Sequence, residues 1–320
     1  MAPMPKLQLQ ALAEIDAAYE ADRTPRHGYR LPPSKLGEAC ERRLWYSFRW
    51  VSPPPSFDGR LLRLFQTGDI HEERFVEDLR RIGCEVVDRD LDDPEKQIGV
   101  SFAYGHAYGY LDAEILNLPD APKTWHVGEF KSHNAKSFRH LVDNGVEASK
   151  PEHYAQTLIY MHLRHRERGV YLAVNKDTDE RYGERIEYDF DKAVRLERKA
   201  ERIVMAQNPP ARISSKPDAF GCRFCDHADK CHGDAFAEVN CRTCLHVTPG
   251  DSGRWICERH NSERNREEQE AGCADHLFIP SLVPGDQVDA DGEIGRVSYA
   301  MPDGRTFHNV RQSSGGNYYD

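Results

Sequence analysis

The chain of 320 residues lacks any long apolar stretch. Its longest apolar segments, such as TLIYMHL at residues 157–163, fall far short of the roughly 20 residues that a membrane helix needs. The first residues, MAPMPKLQLQALAEI, contain no basic segment followed by an apolar block, which is the pattern of a secretory leader. We therefore expect no membrane contact and a cytoplasmic location.

An excess of positive charge is also missing, because the formal net charge is −10. That balance argues against a protein that coats nucleic acid nonspecifically, although it does not exclude a local basic groove. Residues 21–50 contain seven Arg or Lys and three acidic residues. A basic groove and an ordinary solvated helix face both explain this local surplus.

The cysteines are unevenly distributed along the chain. In a reducing compartment, cysteines at short spacings indicate metal sites rather than disulfides. Cys84 stands alone before a β-branched pair, and we expect it to be a packed core thiol. The other eight form two sets with one distant member: Cys40, Cys222, Cys225, Cys231, Cys241, Cys244, Cys257 and Cys273.

The first set has the spacing C-x2-C-x5-C, formed by Cys222, Cys225 and Cys231. Three thiolates leave a fourth ligand to be found, and either a nearby histidine, His227 or His232, or the distant Cys40 could supply it. Four thiolates suit an iron-sulfur cluster as well as zinc. Spacing alone leaves both open.

The second set has the spacing C-x2-C-x12-C-x15-C, with a turn-rich TPGDSG segment after the first pair. Two cysteines separated by two residues can both reach one tetrahedral ion, so this spacing predicts a Zn²⁺ site. His276 or His260 could replace one of the thiols. The predicted ligands are Cys241, Cys244, Cys257 and Cys273.

Apolar periodicity and turn residues predict an α/β fold, in which a mixed sheet is covered by helices. Ser34 is the predicted N-cap of a helix that runs to residue 48, with Cys40 in its middle. Residues 286–310 alternate enough for short hairpins with PDG as a turn. Residues 59–83 are predicted to form one long amphipathic helix or two. The other predicted helices are 6–21, 135–143, 151–165 and 190–207, and the predicted strands are 84–90, 97–104, 107–116, 123–133, 169–175 and 184–189.

The segment GEFKSHNAKSF places Glu129 and Lys131 two residues apart on a predicted strand. Because side chains alternate along a strand, these two share a face and Phe130 points to the other. Asp112 and Glu114 share a face of a neighbouring strand in the same way. Carboxylates from adjacent strands predict a site for Mg²⁺ or Mn²⁺, where the lysine could orient water or stabilise phosphate charge.

Further along the chain, Gln156 and Tyr160 lie at positions i and i+4 of a predicted helix, and His71 lies in the segment GDIHEERF. Each of these residues alone is more often explained by packing. Together, the segments GDIHEERF, GYLDAEI, GEFKSHNAKSF and QTLIY resemble, in order and spacing, the motifs of RecB-type nucleases of the PD-(D/E)XK superfamily. Cys40 and the C-x2-C-x5-C set resemble the iron-sulfur subgroup of that family, which includes CRISPR-associated and AddB-like exonucleases.

The resemblance covers residues 34–235 and implies a PD-(D/E)XK restriction-endonuclease-like core. It implies that Lys131 positions the attacking water and that Gln156 and Tyr160 support the site or touch DNA. The implied Mg²⁺ or Mn²⁺ ligands are His71, Asp112, Glu129 and the carbonyl of Phe130. Two departures are YLD in place of the PD of the family name and a cysteine-rich extension after residue 236.

The resemblance also implies that a 4Fe-4S cluster ties the first helix to the end of the nuclease core through Cys40, Cys222, Cys225 and Cys231. We accordingly expect a nuclease domain with this cluster at residues 1–235, a zinc-binding module at 236–285, and a hairpin-like tail at 286–320.

The function implied is that of a metal-dependent DNA exonuclease that hydrolyses phosphodiester bonds from DNA ends. We expect it to act in recombination, repair or phage and mobile-element DNA processing, in the cytoplasm of a bacterial or phage-infected cell. Its expected partners are single-stranded DNA or duplex ends and a recombination or single-strand-annealing protein. The alternative is a non-cleaving DNA-binding or scaffold protein; the sequence leaves the oligomeric state open.

Overall fold

The computed structural model describes residues 9–311 and 316–320. Residues 6–8, where the first predicted helix begins, and 312–315, in the predicted tail, lie outside the described residues. The helices are α1 (Gln10–Ala21), α2 (Glu41–Phe48), α3 (Gly59–Arg81), α4 (Ala135–Ser149), α5 (Pro151–Leu163), α6 (Phe190–Met205), α7 (Ala228–His232) and α8 (Arg266–Ala271). Among the described residues, no helix has both the length and the apolar character needed to cross a membrane.

Fourteen strands form four sheets within the same residues. The first seven are β1 (Glu85–Val87), β2 (Gly99–Phe102), β3 (Ala107–Tyr110), β4 (Ala113–Leu116), β5 (His126–His133), β6 (Arg168–Asn175) and β7 (Arg181–Glu187). The other seven are β8 (Val247–Pro249), β9 (Trp255–Cys257), β10 (Ser262–Arg264), β11 (Asp286–Asp291), β12 (Arg296–Ala300), β13 (Thr306–Val310) and β14 (Tyr318–Tyr319).

The central sheet has five strands in the order β1-β4-β5-β6-β7. β5 and β6 run parallel and are joined through α4 and α5, whereas the other neighbouring pairs are antiparallel. Helix α3 packs on one face, where the Phe75 and Phe130 rings lie 5.4 Å apart. Helix α5 packs on the other face, where Tyr160 and Tyr171 belong to a second, larger apolar cluster. The predicted α/β architecture with a mixed central sheet is therefore confirmed.

The predicted strand at 107–116 is divided into two strands. β3 pairs with β2 in a separate two-stranded sheet, whereas β4 pairs with β1 and β5 in the central sheet. Leu111 and Asp112 lie between them outside any strand. The chain therefore changes sheets at Asp112, immediately before it enters the central sheet next to β5.

The predicted helix that starts at Ser34 is wrong in its boundary. Residues 33–35 form only a short 3₁₀ turn, and α2 begins at Glu41 with Cys40 as its N-cap. The Cys40 thiol accepts a hydrogen bond from the Arg43 backbone N–H at 3.4 Å. Gly37 lets the segment between them pass close to α5, since a Cβ added there would lie 2.5 Å from the Glu152 Cα, and glycine also disfavours a continuous helix.

The cysteine-rich segment after residue 235 packs into the same large apolar cluster as α2 and α5. Its Arg242 is 0% exposed and donates hydrogen bonds to the carbonyls of Phe48 and Tyr29 at 2.9 and 3.0 Å. The Arg242 guanidinium also lies 3.7 Å from the centre of the Trp50 ring. Burial lowers the pKa of Arg242, so these carbonyls and rings are what stabilise its charge.

The last described strands, β11 to β14, form a four-stranded antiparallel sheet. The predicted PDG turn connects β12 and β13, with Gly304 at a φ of +84° that favours glycine. The hairpins predicted for residues 286–310 are present, and β14 adds a strand beyond them. The domain boundaries predicted at 235/236 and 285/286 stay predictions.

Glu114, on the interior strand β4, binds two arginines that lie between α5 and β6. Its carboxylate accepts two hydrogen bonds from Arg164, at 2.9 and 3.1 Å, and two from Arg166, at 3.0 and 2.9 Å. Arg166 in turn lies over the ring of Trp125. Burial alone would raise the pKa of Glu114, but the hydrogen bonds from the two arginines outweigh it and lower the pKa. Glu114 therefore has a structural role and does not join Asp112 in a metal site.

We expect Glu114→Ala to lower the free energy of unfolding at pH 7 by roughly 1.5–3 kcal/mol, because it removes charge-assisted hydrogen bonds from a buried position. A carboxyl group with a lowered folded-state pKa stabilises the protein above its unfolded pKa, about 4.3 for glutamate. The difference between the two proteins should therefore shrink as the pH falls below that value. Urea titrations of both proteins at several pH values measure this effect.

The matched control is Glu187→Ala, which removes an exposed carboxylate that pairs with Arg168 at the edge of the same sheet. Exposed ion pairs contribute little, so we expect a change within about 1 kcal/mol. Equal losses in the two variants would contradict the structural role given to Glu114.

Candidate active site

Strand β5 brings Glu129 and Lys131 to the face of the sheet covered by α5, and Phe130 to the face covered by α3. The alternation predicted for these three residues is therefore observed. Glu129 is 0% exposed, and the Lys131 side chain is 21% exposed. A carboxylate and an amine thus lie side by side at the edge of a buried face.

Asp112 joins this pair from the break between β3 and β4. Its Oδ2 accepts the Phe130 backbone N–H at 2.7 Å and the Lys131 Nζ at 3.2 Å. The same Nζ lies 2.6 Å from Glu129 Oε1 and donates to the Phe130 carbonyl at 2.8 Å. Three oxygen-bearing groups from two neighbouring chain segments therefore converge on one ammonium group.

The electrostatics of the site follow from burial and from this convergence. Burial raises the pKa of the Glu129 carboxyl group; Lys131 opposes this rise, and Asp112 adds to it. Burial alone would lower the pKa of Lys131, but the carboxylates of Asp112, Glu129 and Glu72 outweigh it and raise the pKa. Lys131 therefore remains charged and serves as the counter-ion of the two acidic side chains.

The donor set fits a hard divalent cation. Both Glu129 oxygens are buried, and Oε1 lies 2.6 Å from the Lys131 ammonium. Carboxylate and carbonyl oxygens, as offered by Asp112, Glu129 and Phe130, are the ligands that Mg²⁺ and Mn²⁺ prefer. Among residues 9–311 and 316–320, no three acidic, His or Cys side chains already form an assembled metal site. At this site the Lys131 ammonium lies between the two carboxylates.

Helix α3 places His71 and Glu72 differently. His71 lines a separate small cavity together with Phe75 and Arg181. The Glu72 carboxylate instead lies 4.0 Å from Lys131 Nζ, and burial, with the nearby Asp112, raises its pKa to about 7. The structure thus brings Glu72 beside the predicted site residues, while the role of His71 as a metal ligand stays a prediction.

Gln156 and Tyr160 lie on α5 at the same side of the sheet as Glu129. Gln156 Nε2 donates to Tyr160 Oη at 3.4 Å, and the two residues are 7% and 2% exposed. Burial and the nearby Glu129 raise the pKa of Tyr160. Gly109 permits this arrangement, because a Cβ there would lie 2.6 Å from Tyr160 Oη. Tyr160 is therefore near the carboxylates, and Gln156 contacts Tyr160.

The first cysteine set faces a single cavity. His227, which also lines this cavity, has both ring nitrogens engaged, by Ser47 at 2.9 Å and Ser52 at 2.7 Å. These hydrogen bonds favour Cys40 over His227 as the fourth ligand. The thiols that line the cavity are Cys40, Cys222, Cys225 and Cys231.

The second cysteine set faces another cavity, and all nine cysteines are free of disulfides. His276 Nε2 lies 3.2 Å from Thr243 Oγ1, whereas His260 Nε2 lies 3.7 Å from Cys273 Sγ. His246, which the sequence analysis overlooked, lines the same cavity, and its Nε2 is buried without a hydrogen-bond partner. The thiols that line the cavity are Cys241, Cys244, Cys257 and Cys273.

Electrostatics support a shared role for the second set. Burial, with the neighbouring thiols of Cys273 and Cys244, raises the pKa of Cys241 to about 12. The thiols therefore lie close enough to influence one another, and a cation between them would bind them as thiolates. The donor set therefore fits Zn²⁺.

Comparison with known proteins gives only weak similarities. No protein-family model and no curated protein matches the chain. Among solved structures, SSO0001 is 17% identical with a TM-score of 0.41, covering 69% of this chain and 96% of its own. The alkaline exonuclease LHK-Exo from Laribacter hongkongensis is 14% identical with a TM-score of 0.39, covering 60% of this chain and 90% of its own.

A second structure of LHK-Exo, in complex with dAMP, is 16% identical with a TM-score of 0.39 and the same coverage of 60% and 90%. At this level, the similarities carry no argument about the activity of the present chain. The functional proposal below rests on the residues of the site.

Proposed function

We propose that this protein is a metal-dependent DNA nuclease of PD-(D/E)XK type that hydrolyses phosphodiester bonds from DNA ends. One observation carries the proposal. Glu129 is fully buried with its Oε1 2.6 Å from the Lys131 ammonium, which also lies 3.2 Å from Asp112. A buried cluster of two acids and one ammonium is costly to the fold, and such clusters with strongly shifted pKa values are typical of functional sites.

Each residue of the site has a defined task in this proposal. Asp112, Glu129 and the Phe130 carbonyl would hold a divalent cation, which would compensate negative charge on the phosphoryl and leaving oxygens. Lys131 would orient the attacking water and donate hydrogen bonds to the phosphate. Glu72, whose carboxylate lies 4.0 Å from Lys131 Nζ, would help to keep that ammonium near the reacting groups.

The remaining assignments belong to the same proposal. We assign Cys40 and the three thiols that share its cavity to a 4Fe-4S cluster, which would link α2 to the segment after α6. We assign the second cysteine set to Zn²⁺. Gln156 and Tyr160 would support the site or contact the substrate strand, and His71 is the remaining proposed ligand of the cation. DNA is the proposed partner, as a single strand or as a duplex end, in recombination or repair.

Digestion of end-labelled DNA tests the proposal. The purified protein, with Mg²⁺ or Mn²⁺, should release short products from single-stranded or duplex DNA, whereas Glu129→Gln should lower the rate by about 10²-fold or more, because it removes a charge from the cation site. Glu187→Gln, at an exposed position of the same sheet, is the matched control and should cleave normally.

Two results would reject the nuclease assignment. Binding of DNA without any cleavage by the wild-type protein would indicate the scaffold alternative instead. Equal cleavage by the wild-type protein and Glu129→Gln would show that the activity does not use this site.

A further inference from the structure

Two rows of side chains line the same face of the central sheet. Residues two apart on a strand share a face, as do residues three or four apart on a helix. One row belongs to β5 and the other to α5. The rows are Glu129, Lys131 and His133 on the strand, and Tyr160, Gln156 and His153 on the helix.

The two rows are joined at the end away from Glu129. Tyr171 Oη lies 2.9 Å from His133 Nε2 and 2.8 Å from His153 Nδ1. Ser137 Oγ lies 3.4 Å from His133 Nδ1 and accepts a hydrogen bond from Lys150 Nζ at 2.5 Å. The polar groups of the two rows therefore continue beyond the proposed catalytic residues.

Lys150 is a partly buried lysine without an acidic partner among the described residues. Throughout the part of the chain that the structure describes, no carboxylate lies within 4.0 Å of its Nζ, and its hydrogen bond goes to a neutral hydroxyl. Lys192, by contrast, pairs with Glu147 at 2.5 Å. Burial lowers the pKa of Lys150, because nothing anionic compensates the charge. A partly desolvated ammonium of this kind attracts an anion.

The imidazoles near Lys150 are neutral at pH 7. Burial, with Lys150 and Lys131, lowers the pKa of His133 to about 4. Burial, with Lys131 as the next cause, lowers the pKa of His153 to about 3. The positive charge at this end of the rows therefore comes from Lys150, because Asp112 and Glu129 compensate the charge of Lys131. One ammonium with neutral N–H and O–H groups matches the single negative charge of a DNA phosphate.

Spacing favours a phosphate next to the one being cleaved. Lys131 and His133 are two residues apart on a strand, which corresponds to about 6.6 Å. Successive phosphates of an extended nucleic-acid strand are separated by a similar length. A strand whose scissile phosphate lies at Lys131 can therefore present the next phosphate to the polar cluster.

We propose that Lys150, Ser137 and His133 form a subsite for the backbone phosphate adjacent to the scissile one in single-stranded DNA. This inference rests on the proposed nuclease function. The subsite holds the strand in register, and Lys150 is a positioning residue that contacts a phosphate away from the reacting bond.

Salt-dependent binding tests the subsite. Fluorescence anisotropy with a labelled single-stranded oligonucleotide, without added divalent cation, gives the affinity of the full chain over a series of KCl concentrations. We expect Lys150→Gln to bind roughly tenfold more weakly. The slope of log K against log salt should become shallower by about 0.7, which corresponds to one lost phosphate contact on a single strand.

Two variants serve as controls. Lys150→Arg keeps the charge and should retain most of the affinity and the full slope. Lys192→Gln removes a lysine whose charge already pairs with Glu147, and should leave both quantities unchanged. Unchanged affinity and slope for Lys150→Gln would overturn the subsite.

A position-specific experiment locates the contact. In a series of oligonucleotides, each member carries one neutral methylphosphonate linkage at a different position. Wild-type affinity should fall for the member whose neutral linkage lies next to the cleaved one. Lys150→Gln should be insensitive to that replacement alone. If the wild-type protein cleaves DNA but Lys150→Gln is as sensitive to the neutral linkage as the wild-type protein, the subsite is rejected and the nuclease function is not. Absence of both binding and cleavage in the wild-type protein rejects both.

Discussion

Lys131→Met is expected to reduce the rate of DNA cleavage by about 10²–10⁴-fold while the protein remains folded. The methionine fills a similar volume but cannot orient water or donate hydrogen bonds to a phosphate. Because the ammonium lies 2.6 Å from Glu129 and 3.2 Å from Asp112, its removal also leaves two carboxylates without their counter-ion. Single-turnover digestion of end-labelled DNA measures the change in rate.

The same variant separates a catalytic role from a structural one. Lys131 competes with a divalent cation for the carboxylates, so we expect Mn²⁺ to bind Lys131→Met at least as tightly as the wild-type protein, by isothermal titration calorimetry. Lys123 is exposed and lies just before the N-terminal end of β5, so Lys123→Met should cleave normally. Full cleavage by Lys131→Met, or loss of its Mn²⁺ binding together with its fold, would contradict the role given to the lysine.

Cys40→Ala is expected to release the metal of the first cysteine set and to lower the free energy of unfolding by about 5 kcal/mol. A cross-link between Cys40 and Cys222 closes a loop of about 180 residues, and closing a long loop restricts the unfolded chain strongly. The same loss should appear in Cys225→Ala. Metal analysis and denaturant titration of protein purified without oxygen measure both effects.

Cys84→Ala is the matched control for the cysteine variants. Cys84 is buried against the α3 side of the sheet and lines neither cysteine cavity. We expect its metal content to be unchanged and its stability loss to be smaller. An absorption spectrum of the wild-type protein distinguishes iron-sulfur from zinc, and a colourless sample without iron would contradict the 4Fe-4S assignment. Retention of metal and stability by Cys40→Ala would contradict the cross-link.

The sequence predicted the parts of the site that depend on local periodicity. Alternation along β5 placed Glu129 and Lys131 on one face and Phe130 on the other. Helical spacing placed Gln156 and Tyr160 together on α5. These predictions succeed because strand and helix periods are set by the backbone and do not depend on distant contacts.

Other parts depended on contacts that periodicity does not encode. Glu72 and His71 are adjacent in sequence but are rotated by about 100° around α3, and only the packing of Phe75 on Phe130 decides which one approaches Lys131. The chain leaves β3 and enters another sheet at Asp112, although the residues on either side continue a strand pattern. Glu114 was expected beside Asp112, yet two arginines from the end of α5 and the turn after it bind its carboxylate.

The proposed nuclease activity requires that Asp112, Glu129 and the Phe130 carbonyl hold a divalent cation. Crystals of the wild-type protein soaked in Mn²⁺, with anomalous scattering collected near the manganese edge, would locate that cation. We expect a peak within about 2.5 Å of these three oxygen-bearing groups, with Lys131 Nζ moved away from the carboxylates. A well-occupied manganese site elsewhere, with Lys131 still between Asp112 and Glu129, would contradict the assignment.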